Sequence, residues 1–366
     1  MHRILHVVPS LVASGTTRQL ALLADGLPRN EFEIHVAAID DAATHANGDF
    51  QKLGIETFIA GRRWAIDPIA LARLRRYVKR LRPALVHTWL FPANTYGRLA
   101  ALAAGVLRMV ATEQHIDSWK LPHELAIDQW LANRSAKIVA NATSVRDFYV
   151  KRGLPPKRIT VISGGVEEAT SAPISRAELL ARLRLPGDSK LIAYLGPLAG
   201  RKRIKELIWA TDQLKAVGTT AHLLVIGEGP LRRRLERYTR QNRMEDRVHF
   251  LGWRDDARAW LSLIDILWQA STTDGQSSAI LEAMVAGIPV VAADAPGNRE
   301  MVVPGETGYL VPCDQRAGFA RHTLPLLEDR ELARRLGSAG QRLVLERHRA
   351  EDYVERHARL YREWLA

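Results

Sequence analysis

The sequence predicts an α/β protein built from two doubly wound parallel-sheet domains. Three observations carry this. Short apolar runs, many of them β-branched, alternate with longer amphipathic stretches. The alternation stops at a polar, turn-rich segment, Glu167 to Pro173, and then begins again. The length of 366 residues, with 47% hydrophobic and 25% charged, suits two domains of ordinary size rather than one large core.

Taken in order, the first series of strand candidates is Arg3–Val8, Phe32–Ile39, Ile55–Gly61, Ala84–Trp89, Arg108–Gln114, Ala136–Thr143 and Ile159–Gly165. The second is Lys190–Gly196, His222–Gly229, Val248–Trp253, Ile264–Ser271, Ile288–Asp294 and Thr307–Pro312. Strands of this kind, separated by helices, form βαβ units, whose sheets are covered on both faces. The expected division is an N-terminal Rossmann-like domain over 1–166 and a second over 167–345. Residues 346–366 form a C-terminal helix, amphipathic over Asp352–Leu365, expected to pack back on the first domain. Ligands of such folds sit at the carboxyl ends of the strands.

One cysteine, Cys313, excludes an internal disulfide and favours a cytoplasmic location. No run of about 18 apolar residues suggests a membrane span. The apolar stretch from Ile4 to Val8 is too short for a secretory signal and reads as a buried strand. The net charge of +12 and pI near 10.1 point to anionic partners, against a plainer reading of solvated helix faces. Nucleic acid is not expected, because no basic groove with stacking aromatics and no known module is present. A nicotinamide dehydrogenase is excluded by the lack of a G-x-G-x-x-G turn.

The segment richest in chemistry runs from Trp268 to Glu282. A strand ends near Ser271, a loop with Asp274 and Gly275 follows, and Ser277 or Ser278 caps a helix that Gly287 and Pro289 stop. Such a helix start aims backbone N–H groups and a positive dipole end at an anion, for example a diphosphate. Glu282 lies one turn in, placed to bond sugar hydroxyls.

The spacing of Asp274 and Glu282 resembles the E-x7-E element of the retaining glycosyltransferases of family 4. These have the GT-B fold, two facing Rossmann-like domains with a cleft between them. The run Ala283-Met284-Val285-Ala286-Gly287-Ile288-Pro289 is similar to that family's E-A-M-A-x-G-x-P continuation. Gly297 to Glu300 and Gly305 to Val311 resemble its following elements. Gly196 to Lys202 resembles its phosphate-binding turn, with Lys202 on the lysine, and Gly227-Glu228-Gly229-Pro230 resembles its G-x-G-P turn. In the first half, Ser14-Gly15-Thr16 resembles its Gly-rich turn, His87 its V-H-x-H position after a strand, and His115 its loop histidine. The chain departs from the pattern at several places. Asp274 stands for the usual Glu, Pro197 for an arginine, Arg203 for a glycine and Trp89 for the second histidine. Arg201 is placed to substitute for the missing arginine.

The resemblance implies transfer of a hexose-type sugar, with retention, from a UDP- or GDP-linked donor to a hydroxyl acceptor. The setting it implies is cell-envelope polysaccharide, lipopolysaccharide or glycolipid synthesis, with a sugar or a lipid-linked acceptor. Its catalytic residues would be His115, Asp274 and Glu282. Its donor site would comprise Gly15, Arg201, Lys202, Gly229, Gly275, Gln276, Ser277, Ser278 and Glu282. No cofactor and no metal ion are expected, since the nucleotide sugar is the co-substrate and no His/Cys/Asp group has metal spacing. The departures keep a second reading, a catalytically weakened or non-catalytic GT-B ligand-binding protein. Two basic stretches with aromatics, Arg62 to Arg80 and Trp119 to His123, suggest peripheral contact with an anionic membrane at its inner face. The other histidines His6, His35 and His222 are expected to be packing residues.

Overall fold

Apolar β-branched runs flanked by helices have one stable destination, a parallel sheet with both faces covered. A computed structural model of the chain, describing residues 1–40 and 46–366, shows two such sheets. The chain divides into two units, Met1–Gly165 with Ala350–Ala366, and Val166–Arg349.

In the first unit the strands are β1 (His2–Val8), β2 (Phe32–Asp40), β3 (Thr57–Arg62), β4 (Leu85–Trp89), β5 (Met109–Glu113), β6 (Lys137–Ala140) and β7 (Ile159–Val161). They lie in the order β3-β2-β1-β4-β5-β6-β7, every pair parallel. Ile4 in the middle of the sheet pairs with Ile34 on one side and Leu85 on the other; Ile4 and Leu85 are buried and Ile34 is half-buried. Thr143, read from sequence as the end of a strand, instead opens the helix Thr143–Lys151.

In the second unit the strands are β8 (Lys190–Leu195), β9 (Ala221–Ile226), β10 (Val248–Gly252), β11 (Ile266–Gln269), β12 (Val290–Ala293) and β13 (Gly308–Val311). Their order is β10-β9-β8-β11-β12-β13, again all parallel. In both sheets the strand order reverses beside the first strand. That leaves a switch point between β1 and β4 and another between β8 and β11, where loops diverge to opposite faces.

The helices follow from local sequence. Helix Pro68–Leu81 starts at Asp67, whose carboxylate accepts from the amides of Ile69 and Ala70 at 3.0 Å, with Pro68 at its first position. Ala70, Leu74, Tyr77 and Val78 recur at helical spacing and are buried, and the arginines face outward. Tyr77 stacks on Phe58 at 4.2 Å inside the core. It is therefore not one of the surface aromatics that the basic stretch seemed to offer.

The C-terminal helix, Ala350–Leu365, buries Tyr353, Val354, His357, Ala358 and Tyr361 in the first unit. Tyr361 Oη lies 2.6 Å from His87 Nδ1, and Thr112 Oγ1 lies 2.7 Å from His87 Nε2. His87 is thus inside β4 rather than after a strand, and both its ring nitrogens serve the fold. Burial pulls the pKa values of His6, His87 and His357 down, His6 to about 3 and His357 to about 4. Of the remaining strand histidines, His222 is buried and lies 3.1 Å from His249, and His35 bonds Glu33 at 2.8 Å. Among the described residues no helix is long and apolar enough to cross a membrane.

Candidate active site

The predicted site residues fall into two groups, one in each unit. In the second unit they gather beyond the carboxyl ends of β8, β9 and β11; β8 and β11 flank the switch point. After β8 the chain makes a turn of 3-10 helix, Gly200–Lys202. This brings Lys202 and Arg201 to the Asp274 carboxylate, with Arg201 pairing to Oδ1 and Lys202 to Oδ2. Lys202 is 6% exposed and Asp274 5%, whereas the Arg201 side chain keeps 37%. Burial lowers the Lys202 pKa, Asp274 pulls it back up and Arg201 adds to the lowering. Tyr194, at the end of β8, is buried beside them, and its hydroxyl donates to the Pro197 carbonyl at 2.9 Å. Burial and then the charge of Asp274 raise its pKa.

The position that is a glycine in the resembled motif has a physical reason here. Arg203 has φ 52 and ψ 34, the left-handed region that glycine enters freely. The chain keeps an arginine there by anchoring it. Its Nε donates to Glu206 at 2.7 Å and its Nη2 to the Cys313 carbonyl at 2.6 Å.

Beyond Asp274 the loop leads into helix Ser278–Val285, with Ser277 at its cap position. Neither serine caps it through a side chain. Instead the Ser277 hydroxyl accepts from Gln269 Nε2 at 3.0 Å, tying the helix start to the end of β11. The first amides of the helix have no carbonyl one turn back to bond, so the start remains suited to an anion. Glu282 lies in this helix and is 6% exposed. Gln276 Nε2 lies 3.0 Å from His348 Nδ1. Gly275 is held by a close approach, since a Cβ on Gly297 would fall 1.7 Å from its carbonyl oxygen. Gly229 has a packing role: a Cβ there would fall 2.6 Å from the Leu198 nitrogen, so the loops after β8 and β9 can touch only through glycine.

In the first unit Gly15 is the first residue of helix Gly15–Gly26, capped by Ser14. His115 is half-buried in the loop after β5. The two are joined through their neighbours, Thr16 Oγ1 donating to Gln114 Oε1 at 2.6 Å. Around this loop lies a cluster that sequence reading missed. Lys120, read from sequence as part of a basic surface, is wholly buried among Glu113, Asp117 and Asp128. Its Nζ lies 2.8 Å from Asp128 and 3.0 Å from the Tyr149 hydroxyl. Arg98 bonds the other oxygen of Asp128 at 3.0 Å. Among the described residues no group of three or more His, Cys, Asp or Glu side chains is arranged to hold a metal ion.

Two family models match in tandem, "Glycosyltransferase Family 4" over residues 13–170 and "Glycosyl transferases group 1" over 175–343. The chain belongs to glycosyltransferase family 4, group 1. This family-4 chain is 26% identical over 207 residues to N-acetyl-alpha-D-glucosaminyl L-malate synthase of Bacillus anthracis, a match covering 57% of the chain and 54% of that protein. It is 28% identical over 204 residues to the lipopolysaccharide core biosynthesis glycosyltransferase LpsE of Rhizobium meliloti, covering 56% and 58%. The chain thus spans little more than half the length of these two curated relatives. A UDP-Gal:alpha-D-GlcNAc-diphosphoundecaprenol alpha-1,3-galactosyltransferase of Escherichia coli matches at 24% over 348 residues, covering 90% and 89%. In fold, the family-4 chain is similar to Anabaena HepE in complex with UDP and glucose, with a TM-score of 0.87 at 21% identity, covering 99% and 100%. Sucrose-phosphate synthase of Thermosynechococcus elongatus follows at a TM-score of 0.82 and 20% identity, covering 99% and 98%. The fold of this family-4 chain is GT-B.

Sequence reading missed Tyr194 and Asn298 as well. Asn298 is buried, and its Nδ2 donates to the carbonyls of Ala293 at 2.8 Å and Ser271 at 3.3 Å, pinning the ends of β11 and β12 together. It sits inside the motif Gly297 to Glu300, whose resemblance to the family's was the available signal.

Proposed function

We propose that the chain is a glycosyltransferase that moves a hexose-type sugar from a UDP- or GDP-linked donor to a hydroxyl acceptor with retention. The observation that carries this is the pairing of Lys202 and Arg201 with Asp274 at the β8–β11 switch point, beside the start of helix Ser278–Val285. The diphosphate lies against the amides of Gly275 to Ser278, and the two cations turn from Asp274 toward it. The leaving phosphate gains charge as the sugar bond breaks, and preorganised dipoles and cations meet that charge without rearranging. Glu282 bonds the ribose or sugar hydroxyls, and the Gly15–His115 loops serve the acceptor. Counter-charge comes from side chains, so the reaction is metal-independent and turnover survives EDTA. HepE is in complex with UDP and glucose, and two of the relatives are named as a lipopolysaccharide core biosynthesis glycosyltransferase and a GlcNAc-diphosphoundecaprenol galactosyltransferase, which supports an acceptor from cell-envelope glycan synthesis.

The decisive test is a thermal-shift screen of UDP, GDP and their sugars, followed by turnover with the donor that binds. One base stabilises the chain and the other does not. Glu282→Ala removes most of that shift and lowers kcat/KM about 10- to 100-fold, the loss of one or two hydrogen bonds to hydroxyls. Stabilisation by neither base, with no turnover of any donor, would favour the non-catalytic alternative.

A cytoplasmic location at the inner membrane face is the companion proposal. Trp64, Ile66, Trp119 and Leu121 are exposed in the first unit, and the exposed Arg63 precedes Trp64 in the chain. Anionic vesicles are expected to pellet the protein at low salt and release it at high salt, and Trp119→Ala with Trp64→Ala weakens the pelleting. Equal pelleting with neutral vesicles would rule this out.

A further inference from the structure

At the opposite end of the first sheet, away from the Gly15 and His115 loops, the amino ends of β5, β6 and β7 border a groove of about 700 Å³. Five cations line it: Arg108, Arg134, Lys137, Lys157 and Arg158. Glu363 is the only acidic side chain in the lining. None of the five cations forms an ion pair with an acid among the described residues, whereas Arg62, Arg176, Arg232 and Arg254 each do.

Three of the cations are held in place by neutral groups, which leaves their charge unspent. Arg158 donates to the carbonyls of Ser135 at 2.6 Å and Ala132 at 3.3 Å. Lys137 donates to the Lys157 carbonyl at 3.0 Å. Arg134 lies 3.8 Å over the Trp130 ring and bonds its carbonyl at 3.1 Å. Trp364 borders the groove, and its buried indole N–H has no hydrogen-bond partner among the described residues. Like charges gathered in a concavity repel one another, and the low-dielectric walls concentrate their field on whatever enters. Fixed arginines with unused N–H donors favour phosphate or carboxylate oxygens.

We propose that this groove binds a small ligand bearing two or more phosphate or carboxylate groups, of the size of a phosphorylated saccharide. A single phosphate would engage two or three of the cations and leave the rest unmatched, and the volume is that of a small-molecule site. A bilayer is excluded by shape, because the cations line a concave surface that a flat membrane does not enter. The site is separate from the proposed donor clamp and does not depend on it.

The probe is tripolyphosphate, titrated calorimetrically into the full chain. The donor clamp also takes phosphates, so the titration is done in a Lys202→Ala background. One equivalent still binds there. Adding Arg108→Ala and Lys157→Ala weakens that binding at least tenfold, whereas Arg233→Ala with Arg234→Ala, on an exposed helix elsewhere, leaves it unchanged. Loss of all binding on Lys202→Ala alone overturns the groove and leaves the donor reading standing. Equal weakening by the Arg233 and Arg234 pair also overturns it, as non-specific attraction to a basic surface. So does binding of anionic vesicles, but not tripolyphosphate, that depends on Arg108 and Lys157. Groove binding that persists in a chain inactive toward every donor leaves the proposal intact and removes the donor reading instead.

Discussion

Lys202→Ala is expected to lower kcat for the sugar donor about 100- to 1000-fold, the usual loss when one preorganised group facing developing charge is removed. Lys202 is buried and reaches Asp274, so its ammonium is already positioned and partly desolvated. Its lowered pKa, caused by burial, shows what that position costs. A donor diphosphate arriving there supplies more negative charge than one carboxylate, and the lysine gains by meeting it. The fold should tolerate the substitution, since Asp274 keeps Arg201 as partner. Arg201→Ala is the comparison. Its side chain is 37% exposed, so its charge is screened and its removal should cost about tenfold. Steady-state rates of nucleotide release separate the two. If the Lys202 variant kept kcat within a few-fold of the parent, the clamp would have to lie elsewhere.

The two site residues that matter most in this argument are 72 positions apart, and their pairing illustrates what a sequence reading reaches. Lys202 and Asp274 were each legible as chemistry, because each lies in a turn between a strand and a helix and falls on a motif that resembles the family's. Their ion pair was not, because it depends on β8 and β11 being neighbours. Strand order is a property of crossover connections, and no local pattern encodes it. The strands themselves were legible for the opposite reason: a strand buried on both faces must be apolar along its whole length. The same logic explains His87. A histidine within Leu-Val-His-Thr-Trp looks like a residue at a strand end, and its partner Tyr361 lies 274 positions away. Periodicity marks which face of a helix is apolar and says nothing about which polar atom that face will meet.

Lys120 was the clearest misreading, and it carries the largest expected effect on stability. Between Trp119 and Leu121, with Pro122 and His123 following, it has the pattern of an interfacial patch. The fold turns it inward instead, to three carboxylates from β5, the following loop and the helix Pro122–Ala132. Lys120→Met should destabilise the first unit by about 3–5 kcal/mol, the cost of stripping one partner from buried charges. In a unit of this size that lowers Tm by roughly 10 °C. The loss should also depend on pH. Burial pushes the Glu113 pKa up to about 7, while Lys120 is the strongest influence holding it down. A carboxyl whose folded pKa lies above its unfolded value contributes stability below the unfolded value, near 4.5, and that contribution is lost as pH rises through about 7. Without Lys120 the ionised form is disfavoured further, so the variant should fall furthest behind the parent at pH 8 and least at pH 5. Calorimetry at both values reads this directly. Adding Glu113→Gln to Lys120→Met should recover part of the pH 8 deficit, because the amide needs no cation. An equal deficit at both pH values, unchanged by Glu113→Gln, would mean that Lys120 stabilises through packing and not through the charges around it.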